Sequence, residues 1–374
     1  MPQPDPDPRP EPTPASDAAK TAPPNAAPGD ADKPVSLYDR IWRAADVYRD
    51  DQNPVLQRLR FTGRFQLDYA RVAREDFEDW AIRRFRLGGK ATLFRELTLH
   101  GEVDLQPQEP EVYQRLTDAY LAWSRNEHLT VTVGKHSARF TLDGSTSSTE
   151  LLAIDRANLA NNLWFPQEYF PGVSVSGRAN GWRYALGVFS SGSATPEFGR
   201  FDGSEFVLTT LGYDFPGKSR RTLTINYVHN EPHRNNTFTR ALSDVMSLNF
   251  VLEDGRWGLR GDVSGALGYG GQSDLWGAML MPSFKLTPAL QAVARFTWVA
   301  SRDPNGVRFA RYENQVVSGR GDAYGEVYLG LNWYLYGHKL KLQTGAQYAD
   351  MRDRAGDGGA YSGWAWTSGL RIAW

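Results

Sequence analysis

The 374-residue chain contains no cysteine, which excludes disulfides and thiolate metal sites. No apolar run approaches the roughly 20 residues that a membrane helix needs. No apolar leader opens it either, because Met1 is followed by PQPDPDPRP. The chain therefore reads as a mature form whose export signal is expected to have been removed; the alternative is a cytosolic protein. Charge is nearly balanced at −1. Residues 1–34 hold six acids and three bases, so the remainder carries about +2, too little to suggest nucleic-acid binding. His229 and His233 are separated by Pro232, which breaks any helix between them and favours a solvated loop over a zinc site. No metal or cofactor is expected. No GxSxG elbow or phosphate-cradling glycine loop occurs, and Thr146-Ser147-Ser148 has no obvious histidine partner.

Aromatic residues, by contrast, are abundant at 13%, with 12 Trp and 17 Tyr. That suits the aromatic girdles of a membrane β-barrel. A mean hydropathy of −0.51 does not oppose this reading, since a barrel shows lipid only every second residue. The chain ends on an alternating strand. Trp364, Trp366, Leu370, Ile372 and Trp374 share one parity, and Ala365, Thr367, Gly369, Arg371 and Ala373 the other. A final strand that stops on an aromatic residue resembles the closing strand of bacterial outer-membrane barrels. The alternative is the last strand of a soluble sandwich.

Residues 1–34 are rich in Pro, Ala and Asp and are expected to form an extended, disordered tail. It reads as a periplasmic spacer or a plain solvated tail. Residues 35–53 suggest one short amphipathic helix, capped by Ser36, with Leu37, Ile41, Trp42, Ala45 and Tyr48 near one stripe. It is expected at the barrel mouth or docked as a packing helix. Residues 57–374 read as strands. In the first, Leu59, Phe61, Phe65, Leu67 and Tyr69 alternate with Arg60, Thr62, Arg64, Gln66 and Asp68. Short turns, such as Asn180-Gly181 and Asp254-Gly255, alternate with long polar loops at 70–79, 106–111, 139–168, 190–204, 230–243, 270–273, 300–322 and 350–360. Short turns at one end and long loops at the other are the two faces of an outer-membrane barrel. The expected fold is all-β: a transmembrane antiparallel barrel of about 16 strands, a size that leaves an aqueous channel. A soluble jelly roll has about half as many strands and no charged inner face.

Parity places Arg60, Arg64, Arg84, Arg86, Lys90, Arg183, Arg260, Arg295, Lys341 and Arg371 toward the lumen. Asp68, Glu102, Asp104, Asp118, Asp262 and Glu326 join them. An arginine ladder can hand an anion from site to site. Alternatively, these bases and acids satisfy one another across the wall, as Glu102 could for Arg86 and Lys90.

Gly134-Lys135, Thr146-Ser147-Ser148, Ile154 and Arg156-Ala157 together resemble the strand and inward loop of the phosphate-selective porin O and P family. Gly330-Leu331-Asn332-Trp333-Tyr334-Leu335 resembles that family's penultimate hairpin. The resemblance spans residues 61–374. It implies a sixteen-stranded, usually trimeric barrel whose third long loop folds inward as a constriction. The sequence departs from the phosphate-selective pattern, which uses a lysine cluster there. Residues 140–168 contain no lysine, one base (Arg156) and four acids: Asp143, Glu150, Asp155 and Glu168. Arg139 precedes them. Arg156 either projects into the eyelet or pins the loop; pinning is the favoured reading, since a folded loop has many backbone groups to satisfy. Leu151, Leu152, Ile154, Leu159, Leu163, Trp164 and Phe165 give the loop buriable surface.

The expected function is an outer-membrane porin passing small polar solutes or ions, with weak anion preference at most. The expected partners are outer-membrane lipid, small anions or polar solutes, and two further copies in a homotrimer. The alternatives are an anchoring barrel tethered to the cell wall by its Pro-rich tail, or a barrel enzyme.

Overall fold

The computed structural model describes residues 36–163, 168–191, 197–199, 201, 204–233, 236 and 239–374. The expected tail at 1–34, and Trp164 and Phe165, lie outside them. A helix, α1 (Leu37–Arg43), leads into a short strand, β1 (Asp46–Arg49). The barrel follows as β2 (Leu56–Val72), β3 (Phe77–Leu93), β4 (Leu97–Leu105), β5 (Tyr113–Asn126), β6 (Leu129–Ser137), β7 (Tyr169–Ala179), β8 (Trp182–Ser190) and β9 (Glu205–Asp214). It continues through β10 (Arg220–Asn230), β11 (Leu242–Asp254), β12 (Trp257–Gly268), β13 (Leu275–Lys285), β14 (Leu290–Ser301), β15 (Ala323–Tyr336), β16 (Leu340–Arg352) and β17 (Tyr361–Ala373). Each strand from β2 to β17 is antiparallel to its neighbours, and β17 pairs with β2 to close sixteen strands. Closure leaves no sheet edge to face lipid, where an unpaired backbone group costs several kcal/mol.

The amphipathic stripe at 35–53 resolves differently from the single helix expected. α1 stops at Arg43, and Asp46–Arg49 is a strand on β2, with Asp46 opposite Arg60 and Arg49 opposite Arg58. The reason lies in β2. Its partner β17 reaches only to Ala373, opposite Arg64, so the start of β2 lacks a neighbour. β1 supplies it, and the Phe61 amide donates to Ala45 O at 2.8 Å. Helix α1 then docks on the outer wall rather than in the mouth. Trp42 Nε1 donates to Ala373 O at 2.5 Å, and Tyr38 stacks on Tyr336 at 5.5 Å. The seam itself is tight. A Cβ on Gly63 would fall 2.4 Å from the Trp374 ring, so only glycine fits there.

Seven connections at one end are short, and Asn180-Gly181 takes the positive φ pair (51° and 82°) of a type I′ hairpin. The other end carries the longer loops. One differs from expectation: β2 and β3 run on through most of 70–79, leaving a connection of only 73–76. Exposed tryptophans form two belts. Trp182, Trp257 and Trp333 flank the short turns, while Trp80, Trp276, Trp298 and Trp364 flank the long loops.

Candidate functional site

The third long connection, 138–168, turns into the barrel. Thr141 marks the bend with φ 60°, an uncommon value for a β-branched residue, and its Oγ1 caps α2 (Leu142–Ser145) by accepting from Gly144 N at 3.2 Å. A second helix, α3 (Asn158–Leu163), follows. Leu151, Leu152, Ile154, Leu159 and Leu163 are all at most 5% exposed. Leu152, Leu159 and Leu163 belong to one cluster with the inward side chains Met279, Met281, Val293 and Val299 of β13 and β14. Each fully buried aliphatic side chain contributes roughly 1.5–3 kcal/mol. The interior is therefore dry on this side, not uniformly wet.

Inward polar side chains of the wall bind the loop's backbone. Lys341 Nζ donates to Leu151 O at 2.7 Å, Arg295 Nη1 to Asp155 O at 2.6 Å, and Arg371 Nη2 to Ile154 O at 3.3 Å. Arg64 Nη1 donates to Ser148 Oγ at 2.9 Å, and Asp262 accepts from Leu142 N at 2.7 Å. Arg371 also bonds Asp68, and Arg295 Nε meets Glu326 at 2.6 Å. These residues stand on the inward face, but Arg86, Arg295, Lys341 and Arg371 are at most 2% exposed. Their position as open pore lining is thus corrected: loop 138–168 covers them, and they anchor it.

A second cluster ties the loop's end to β3 and β4. Glu168 accepts from Arg156 at 3.2 Å and lies 3.4 Å from Arg84 and 3.5 Å from Arg86. Arg86 also meets Glu102 at 3.8 Å, Asp104 at 3.3 Å and the Tyr169 hydroxyl. Burial alone raises the Glu168 carboxyl, but Arg156, Arg84 and Arg86 together hold it well below the usual range. Asp155 is likewise lowered against its burial, first by Arg83 at 3.5 Å. Within the loop, Arg156 donates to Asp143 O at 2.7 Å and Thr146 O at 3.3 Å, and Asp143 accepts from Ala157 N at 2.7 Å.

Parity overlooked two lumenal arginines. Opposite Gln66-Leu67, β3 carries an extra residue, because Gln66 pairs with Arg84 and Leu67 with Ile82. This bulge aims Arg83 inward beside Arg84. In β5, Thr117 is the extra residue between Asp118 and Leu116, and beyond it Arg115 faces Asp104 at 3.3 Å. A second inward loop was also missed. In 302–322, Val307, Phe309 and Val317 are buried, and Arg308 N donates to Asn162 Oδ1 at 2.8 Å. Tyr312 OH reaches Asp68 at 2.7 Å. The signal was present in the apolar residues Val307, Phe309, Val316 and Val317 inside a loop read only as polar.

Two chambers are lined by inward residues among those described. The outer one, about 680 Å³, lies between the two inward loops and includes Arg83, Arg156, Arg240, Arg295, Arg308, Arg311 and Arg320 against Asp155, Glu168 and Glu313. Burial, Arg308 and Arg320 push the Arg240 guanidinium down to about 9. The inner one, about 210 Å³, lies between residues 139–150 and the wall from β5 to β12. Arg139, Arg183, Arg220 and Arg260 face Asp118, Glu150 and Asp214 there, among Thr132, Ser174, Thr210, Thr224 and Asn226. Arg183 meets Asp214 at 2.8 Å and Arg260 meets Glu253 at 2.8 Å. Arg60 lies 3.9 Å from Asp46, and Lys90 sits opposite His100, only 8% exposed.

A closed barrel crossed by a pinned loop is a porin's geometry, and the family model for phosphate-selective porins O and P matches residues 59–249. The chain belongs to that family. It is therefore an outer-membrane porin, a channel for small solutes in the bacterial outer membrane. No match was found among curated proteins. Solved structures share the fold. The anion-selective porin from Comamonas acidovorans has 13% identity and a TM-score of 0.59, covering 84% of this chain and 99% of that one. OmpT of Vibrio cholerae has 13% identity and a TM-score of 0.57, covering 87% and 100%. The outer-membrane channel DcaP of Acinetobacter baumannii has 10% identity and a TM-score of 0.56, covering 87% and 99%.

Proposed function

We propose that this porin passes small polar solutes and ions with a mild preference for anions, and that it works as a homotrimer. The observation that carries the preference is the outer chamber, where Arg83, Arg156, Arg240, Arg308, Arg311 and Arg320 stand against Asp155, Glu168 and Glu313 among the described residues, Arg295 being bonded to Glu326 of the wall. Cations in a confined, weakly screened space raise the local anion concentration. The inner chamber is nearly balanced, with four arginines against three acids, so it adds little. Lysine is absent from 140–168, which supports weak preference over tight phosphate binding. The working residues are then Arg308, Arg311 and Arg320 at the entrance and Arg139, Arg183 and Arg260 below, with Arg156 and Glu168 holding the loop. The trimer reading follows the family and Vibrio cholerae OmpT, whose in-vitro folded protein is described in a trimer form.

We read the chain as a channel without catalysis. Ser174 Oγ does approach His136 Nε2 at 2.8 Å, but the other ring nitrogen faces the Gly134 carbonyl at 2.9 Å rather than a carboxylate.

The test is a reversal potential in a KCl gradient across a planar bilayer. Arg308→Ala/Arg311→Ala/Arg320→Ala is expected to move it toward cations. An unchanged potential would overturn the assignment of selectivity to the outer chamber.

A further inference from the structure

One cross-strand row of inward residues carries no charge from β6 to β11. It runs Thr130, Ser176, Ala185, Thr210, Asn226 and Ser247, each the register partner of the next. Neighbouring strands lie about 4.8 Å apart and barrel strands tilt by about 35–45°, so such a row climbs obliquely along the channel rather than ringing it. Its middle members, Ser176 to Asn226, line the inner chamber. Thr132 and Ser174 flank them toward the long loops, and Thr222 and Thr224 toward the short turns. Across the chamber the inward loop presents Ser145, Thr146 and Ser147. The wall hydroxyls keep hydrogen-bonding capacity for a guest. Thr132, Ser176 and Thr222 make no side-chain hydrogen bond among the described residues. Thr210 and Thr224 accept from Asn226 and Arg183 at 2.9 and 3.0 Å, and each keeps an O–H to donate. The wall arginines, by contrast, are already matched. Arg183 meets Asp214, and Arg220 and Arg260 share Glu253 at 3.2 and 2.8 Å. Ala185 and Leu208 give the same wall a small apolar surface.

We propose that the solute favoured by the inner chamber is neutral and polyhydroxylated, of the monosaccharide or alditol class, and passes along this row of hydroxyls and amides. The proposal rests on the channel reading above and names the solute class of its narrower segment. A sugar hydroxyl both donates and accepts, as Ser and Thr side chains do, so hydrogen bonds lost to water are replaced in kind. Its C–H faces meet Ala185 and Leu208. An inorganic ion gains less there, since the wall's charges compensate one another. Many weak contacts in succession also release the solute, which transport requires. The anion preference belongs to the outer chamber, so the two chambers act on different properties of a solute.

Liposome swelling with the full-length protein tests this on arabinose and triethylene glycol, neutral solutes of nearly equal mass that differ in hydroxyl count. Arabinose is expected to enter about fivefold faster, because only a hydroxylated solute satisfies the row. Entry at an equal or lower rate would overturn the proposal. The second measurement uses Thr132→Val/Ser176→Ala/Thr222→Val, which removes three hydroxyls without breaking a side-chain hydrogen bond among the described residues. The ratio of the two rates on one vesicle preparation does not depend on how much protein inserts. It is expected to fall to about one in the variant. A ratio kept at the native value would overturn the assignment to this row. Swelling in neither solute would instead refute the channel itself, so the two readings fail separately.

Discussion

Arg156 Nη1 lies 3.2 Å from Glu168 Oε1, and this pair ties the middle of the inward loop to its end. The same guanidinium holds Asp143 O and Thr146 O. One planar group therefore fixes three turns of chain, which an ammonium cannot do. Arg156→Ala is expected to loosen the loop by about 3–5 kcal/mol, since Glu168 loses one of its buried cations. The observable is current noise in single channels. Arg156→Lys should remain noisy. A quiet Arg156→Ala channel would mean that Arg84 and Arg86 suffice.

The loop as a whole narrows the barrel. Deleting residues 145–161 removes the first four residues of α3 and the backbone acceptors of Lys341, Gln343 and Arg371. Conductance is expected to rise severalfold in the deletion variant, provided it still inserts as a heat-resistant barrel. An inserted barrel with unchanged conductance would show that the narrowing lies elsewhere.

The second inward loop has a pH-sensitive contact. Glu313 sits 1% exposed, with Oε1 accepting from Gln347 and Tyr324, and no hydrogen-bond partner for Oε2. Burial, and Glu326 beside it, raise its carboxyl to about 7 from an ordinary 4.5; the nearby Arg295 is bonded to Glu326. The docked loop thus favours the protonated acid. Docking is firmest below about pH 4.5, weakens as pH rises toward 7, and changes little above. Gating noise should increase from pH 5 to pH 8 in the native channel and be flat in Glu313→Gln. A pH dependence that persists in Glu313→Gln would assign the titration to another group.

Register predicts which residues meet lipid. Val263, midway along β12, is 61% exposed, whereas its neighbour Ser264 is 4% exposed and faces inward. Val263→Arg should cost about 2–4 kcal/mol in reversible unfolding from vesicles. A cost below about 0.5 kcal/mol would place that position out of the bilayer core.

Alternation along each strand was enough to read the closed barrel. Leu59 and Phe61 face out and Arg60 and Arg64 face in, because a strand shows opposite faces every second residue and lipid tolerates only one kind. The inward turn of 138–168 was also legible, from leucines that an outward loop would leave in water. Four things were decided by tertiary structure. Bulges beside Leu67 and at Thr117 shifted parity, so Arg83 and Arg115 entered the lumen unannounced. The unpaired start of β2 converted Asp46–Arg49 from expected helix to strand, since backbone pairing in the membrane outweighs local helical periodicity. Val307 and Phe309 drew a second loop inward, because α3 offered partners that no local pattern encodes. Finally, an inward side chain is open to solute only where no loop covers it. Period two fixes which way Arg86, Lys341 and Arg371 point, but the fold of a segment distant in sequence decides whether they line a channel or hold a loop in place.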